Sequence, residues 1–213
     1  MNFKFLSVAL GMALSATAIS ASAQKKYTEG MATFEANANG QPLELKTYFK
    51  GDSTSTSLQQ GPASIKYIAY KDSYLAVLVD VSAFGIKKAG VATPSELEDF
   101  YAALPTLTFT PTTETKQING FNCKKVIAKD AKNNASYDVW VTNDFEAPVG
   151  LSSNIYAKVG GFPVQFTVFQ QGKKLVNTLK TITETKTPAG TFNIPAGFDR
   201  ITLTELSALS GGK

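Results

Sequence analysis

Histidine is absent from this 213-residue chain, and cysteine and tryptophan occur once each. Without imidazole there is no Ser-His-Asp or Cys-His triad and no His-ligated metal centre. A single thiol, Cys123, makes neither an intrachain disulfide nor a cysteine-cluster zinc site, and it reads as a small buried hydrophobe. Arginine is nearly missing too: Arg200 stands alone, so the formal net charge of +4 is almost all lysine. Lysine lacks the planar fork that reads phosphate and guanine bidentately, which argues against a nucleic-acid partner. Gly-x-Ser-x-Gly, Walker and dinucleotide-binding motifs are also absent. What is present is a 43% hydrophobic, 18% charged chain, a balance that excludes disorder and a polytopic membrane protein and supplies a sizeable core.

The first 23 residues read as an address. Lys4 gives a positive start, an apolar run extends from Phe5 to Ile19, and Ala21-Ser22-Ala23 is a small-x-small cleavage site. A run of this length is too short for a comfortable permanent span. The expectation is an exported chain cleaved after Ala23, periplasmic or secreted, with a single domain over 24–209 and a flexible tail at 210–213. No later stretch predicts a transmembrane segment.

The rest of the chain reads as strands. Threonine occurs 23 times, 22 of them after the leader, and together with Val, Ile, Phe and Tyr this is β-rich usage. Alternation of period two recurs in Leu43–Phe49, Ser136–Thr142 and Phe162–Phe169. Further strands are expected near Tyr27–Ala38, Ser53–Gln59, Ser64–Tyr70, Thr106–Lys116, Asn122–Lys129, Leu151–Lys158 and Lys174–Lys186. Turn signals such as Gly51-Asp52, Gly61-Pro62, Lys71-Asp72 and Asn119-Gly120 separate them and favour antiparallel neighbours.

One strand breaks the pattern. Ser73–Val81 is apolar on both faces, with Tyr74, Ala76 and Leu78 on one and Leu75, Val77, Val79 and Val81 on the other. Such a strand has to be covered on both sides, by a helix, a second sheet or a ligand. The nominated cover is the segment opening Thr93-Pro94-Ser95-Glu96, a capping box with Pro at N1, which runs to Leu104 before Pro105. Its Leu97, Phe100, Tyr101 and Leu104 form one apolar stripe. Thr202-Leu203-Thr204-Glu205 repeats the box and predicts a short C-terminal helix. The fold class is therefore mainly β: a single curved antiparallel sheet, an open or half β-barrel of about ten strands, with one helix on its concave face and a short helix at the C-terminus.

Candidate chemistry is sparse. Glu96, Glu98 and Asp99 stand on the first turns of the predicted helix, where acids favour the positive helix end. Asp144 and Glu146 lie in a turn that lacks calcium-loop spacing. Trp140 alternates with Asp138 and Thr142 and reads as a packing residue.

Several motifs point to a family. Asn119-Gly120-Phe121-Asn122-Cys123-Lys124-Lys125, then Tyr137-Asp138-Val139-Trp140-Val141-Thr142, Gly161-Phe162-Pro163 and the closing Phe192-Asn193-Ile194-Pro195-Ala196-Gly197-Phe198 follow one another in order. With the leader, this resembles the secreted family called domain of unknown function 4412, which is distantly similar to the lipoprotein-carrier (LolA/LolB-type) open β-barrels of the Gram-negative envelope. The resemblance implies periplasm, a half-barrel and a hydrophobic ligand, and it transfers no site residue.

The resulting expectation is a non-enzymatic protein without cofactor or metal. It binds a lipid or acyl chain in an apolar groove lined by Leu75, Val77, Val79, Leu97, Phe100 and Tyr101. Its partner would be lipid or an acylated protein. The alternative is an envelope structural or interaction module with a filled barrel and a protein partner.

Overall fold

The computed structural model describes residues 24–38, 41–170 and 173–209. The leader with its cleavage site, the Asn39-Gly40 and Gln171-Gly172 turns and the tail at 210–213 lie outside the described residues.

Among the described residues two meanders account for most of the strands. The first comprises β2 (Glu29–Ala38), β3 (Gln41–Lys50), β4 (Ser53–Gln60), β5 (Ala63–Tyr70), β6 (Tyr74–Val81) and β7 (Ile86–Val91), each antiparallel to the next. The second comprises β8 (Leu107–Ile118), β9 (Phe121–Asp130), β10 (Ser136–Thr142), β12 (Phe162–Gln170) and β13 (Lys173–Thr183). Pairing of β2 with β13 fuses them into one sheet. Two short strands, β1 (Lys25–Lys26) and β11 (Phe145–Glu146), pair separately. The order is β14-β7-β6-β5-β4-β3-β2-β13-β12-β10-β9-β8, where β14 is Asp199–Thr202, and the two ends do not meet. The protein is thus mainly β with an open sheet, as its alternation predicts.

Three details differ from expectation. The sheet has twelve strands rather than about ten. It is mixed, because β14 runs parallel to β7. Both strands escape the alternation signal: Ile86-Lys87-Lys88-Ala89-Gly90-Val91 and Asp199-Arg200-Ile201-Thr202 are short and charged. Finally, Leu151–Lys158 is no strand but two 3-10 turns, Val149–Leu151 and Asn154–Tyr156. Ser152 donates its hydroxyl back to the Val149 carbonyl, and Ser153 adopts φ 99°. These local interactions outcompete a ladder.

The main core lies on one face of the sheet. Phe34, Phe49, Val126, Val139, Val164, Phe166 and Leu179 are buried there. The turns at 149–156 cap them: Leu151 and Tyr156 are buried, and the Tyr156 hydroxyl donates to the Thr167 carbonyl at 2.6 Å. Trp140 is 8% exposed beneath the Lys116 ammonium, 4.0 Å from the ring centre, as a packing residue should be.

The seam between the meanders is tight. A Cβ on Gly30 would stand 2.2 Å from the Thr183 carbonyl oxygen and 2.9 Å from the Phe49 ring. Backbone cannot retreat from that contact without opening the β2–β13 ladder. Gly30→Ala is therefore expected to cost about 1–3 kcal/mol, read as a lower denaturant midpoint at unchanged slope. An unchanged midpoint would show that the seam is looser than described.

Candidate functional site

Antiparallel partners share a face, so the ladders trace the surroundings of β6. Ile68 pairs with Ala76, and Ala76 and Leu78 pair with Val91 and Ala89. On this outer face Ile68, Ala76, Leu78 and Ala89 form a second core, closed by Phe192, Ile194 and Phe198. The C-terminal segment then pairs with the edge of β7 as β14, where Lys88 and Asp199 meet at 2.8 Å. Beyond β14 it continues as α2 (Leu203–Leu209). Gly90, opposite Val77, admits this helix: a Cβ there would come within 2.8 Å of Leu206. The C-terminus therefore grips the β6–β7 edge from both faces.

The inner face of β6 is covered far less. Leu75, Val77 and Val79 pair with Ala69, Tyr67 and Ile65 of β5. Through β4 and β3 they share a face with Phe49, and so with the main core. Leu75, Val77, Val79, Ile65 and Tyr67 are nevertheless only partly buried, and none belongs to either core. The structure thus brings the three predicted strand residues together on one partly open apolar patch, with Ile65 and Tyr67 beside them. Those two were missed as site residues, although their place in the alternating run Ser64–Tyr70 carried the signal.

The three predicted helix residues lie on α1 (Pro94–Ala103). This helix connects β7 to β8, which stand near opposite ends of the sheet order. It starts next to β6, where the Ala92 amide donates to the Leu75 carbonyl at 2.9 Å. Near its other end the Tyr101 hydroxyl donates to the Lys71 carbonyl at 3.3 Å, and Lys132 donates to the Ala102 carbonyl at 2.9 Å. Yet α1 buries none of its residues. Leu97 and Tyr101 are partly buried, and Phe100 is 37% exposed with its ring edge-on to Tyr101. The nominated cover of β6 thus buries none of its residues and makes polar contacts at both ends, while the C-terminal segment closes the other, outer face.

Glu96 is the strongest of those contacts. The capping box forms, with the Thr93 amide donating to Glu96 at 2.8 Å and the Glu96 amide to Thr93 at 3.3 Å. The same carboxylate also accepts the Thr204 amide at 2.8 Å and the Thr204 hydroxyl at 2.6 Å, tying α1 to α2. These bonds, the Thr204 hydroxyl first among them, hold its pKa down at about 2 against an ordinary 4.5. Glu98 and Asp99 are exposed. Asp144 accepts the Asn122 amide at 2.8 Å and anchors the start of β9. The acids thus have structural partners or face solvent.

Two cavities, of about 310 and 270 Å³, flank Glu146, Ala147 and Val149. Neither is lined by any of the six predicted residues. No helix among the described residues is long and apolar enough to cross a membrane.

Two outcomes follow. A carboxylate whose pKa falls on folding lends stability that is complete above its free value of 4.5 and is lost as pH drops through about 2. Glu96→Gln should therefore lower the Tm at neutral pH, and the gap to the parent should close as pH approaches 2; a gap that persists in strong acid contradicts the clasp. Cys123 is 2% exposed, and burial pushes its thiol up to about 11. It should resist thiol reagents in the native protein and react promptly in denaturant. Fast native labelling would count against its burial.

Comparison with known proteins bears on the fold. No curated protein sequence matches the chain. Two structures of PNGF-II, in C2 and P21 space groups, are 14% and 15% identical, with TM-scores of 0.50 and 0.51. They cover 85% and 87% of this chain but only 32% and 34% of their own. The chain thus spans about a third of PNGF-II, and at that identity the likeness is one of fold. The profile of a protein family matches residues 91–198, from the end of β7 through α1 and the second meander to the segment that closes the second core. The chain belongs to the family described as Domain of unknown function (DUF4412).

Proposed function

We propose that this is an exported, non-enzymatic protein that shelters a lipid or acyl chain against the inner face of β5 and β6, beneath α1. The observation that supports this reading is the partly open patch of Ile65, Tyr67, Leu75, Val77 and Val79, continuous with the main core yet outside it. Apolar surface left beside a core has its driving force unspent, and each methylene buried there contributes about 0.8 kcal/mol. α1, which buries none of its residues, starts beside Leu75 and reaches the Lys71 carbonyl at the β5–β6 turn. Such a helix can shift to admit a chain without breaking a core. The leader-like first 23 residues support export.

Titration with a fluorescent long-chain fatty acid tests the reading. The parent protein should bind saturably. Placing a carboxylate in the floor, as in Val77→Asp, should remove contacts with about three methylenes, roughly 2 kcal/mol or thirtyfold in affinity. Val176→Asp, at a 48% exposed site on β13, should leave affinity unchanged and serves as the folding control. Absence of saturable binding by the parent, or equal affinity in Val77→Asp, would overturn the proposal.

A further inference from the structure

We infer that the mature chain begins with a pyroglutamate formed from Gln24. The inference rests on the expected cleavage after Ala23, which would leave Gln24 with a free α-amine. Gln24 is exposed and precedes the first paired residue, Lys25, which lies opposite Phe145. From there the chain is held: the Tyr27 amide donates to the Glu146 carbonyl at 2.8 Å, and Lys26 meets the Glu146 carboxylate at 3.5 Å. Gln24 is thus exposed and lies one residue before the chain's first strand pairing.

The chemistry needs only Gln24 itself. Its α-nitrogen attacks Cδ of its own carboxamide. The N–Cδ bond forms and the Cδ–Nε2 bond breaks. One hydrogen passes from the attacking nitrogen to the leaving one, which departs as ammonia. The product is a five-membered lactam built from the N, Cα, Cβ, Cγ and Cδ atoms of one residue, so no dihedral beyond Gln24 has to change. No oxidant, cofactor or partner group enters the balance. An α-amine titrates at about 7.7–8.0, so a substantial neutral, nucleophilic fraction exists near neutral pH. Closure removes the terminal positive charge beside Lys25 and Lys26 and leaves no free amine for an aminopeptidase. The small ring would remain at the mouth of the 310 Å³ cavity that Gln24 lines with Asn143 and Glu146.

The test is mass analysis of the N-terminal peptide from the full chain exported by producing cells, acidified at harvest to stop later cyclisation, together with digestion by an aminopeptidase. The expected peptide starts at position 24, is lighter than its sequence by one ammonia, and resists digestion. Gln24→Asn, whose shorter side chain would need a strained four-membered ring, should keep its amine and be trimmed. A peptide starting at Gln24 with a free amine overturns the inference and leaves the cleavage expectation standing. A chain that starts elsewhere overturns both.

Discussion

The structure turns on the covering of β6. Tyr74–Val81 alternates apolar with apolar, so neither face can be left to water without cost. Its outer face is met by Phe192, Ile194 and Phe198, brought back by the C-terminal segment. On its inner side α2 packs at Gly90 of the neighbouring β7, while Leu75, Val77 and Val79 stay partly open. Much else in the N-terminal meander follows from this asymmetry. The edge strand β14 exists because the C-terminal segment rounds the β7 edge between the two faces it serves. The Glu96–Thr204 clasp exists because α2, once there, stands next to the start of α1.

The two meanders share the main core and are joined by a seam and two connecting segments. The β2–β13 ladder joins them with no room for a side chain at Gly30. α1 carries the chain from one end of the sheet to the other. In return, the segment after β13 crosses back, fixed early by Glu29, which accepts the Thr187 amide at 2.8 Å as well as its hydroxyl. The family match runs from the end of β7 to Phe198, so it includes both connecting segments and the second meander but ends before β14. The strands on which the closing segment packs lie mostly outside it.

Local rules made much of this legible. Alternation marks β3, β10 and β12, β-rich runs between turn signals mark β2, β4, β5, β8, β9 and β13, and the Thr93–Glu96 box marks the start of α1 at Pro94. The both-faced apolarity of Ser73–Val81 by itself states the covering problem. What escaped was long-range. Nothing near Phe192 or Ile194 says that they belong on Ala76 and Leu78, more than a hundred residues earlier. Lys87 and Lys88 disguise β7, whose charges are answered by Asp80 and the distant Asp199. At Leu151–Lys158 the apolar residues suggested a strand, but the serine and asparagine between them favour turns, which still bury Leu151 and Tyr156. Of the candidate site, the strand half stands out by the apolarity of both faces of Ser73–Val81. The stripe of Leu97, Phe100 and Tyr101 is visible as a period, but periodicity does not report burial: Leu97 and Tyr101 are only partly buried and Phe100 is exposed.

The central claim is that the inner face of β5 and β6 is the place an apolar chain occupies. Carbene footprinting of the native protein, with and without a long-chain fatty acid, addresses it at the residues themselves. The account predicts that Ile65, Tyr67, Leu75, Val77 and Val79 label in the free protein and lose label with the fatty acid, while Phe84, 73% exposed at the β6–β7 tip, labels equally in both. Unchanged labelling of the five residues, or protection confined to other surfaces, would contradict it.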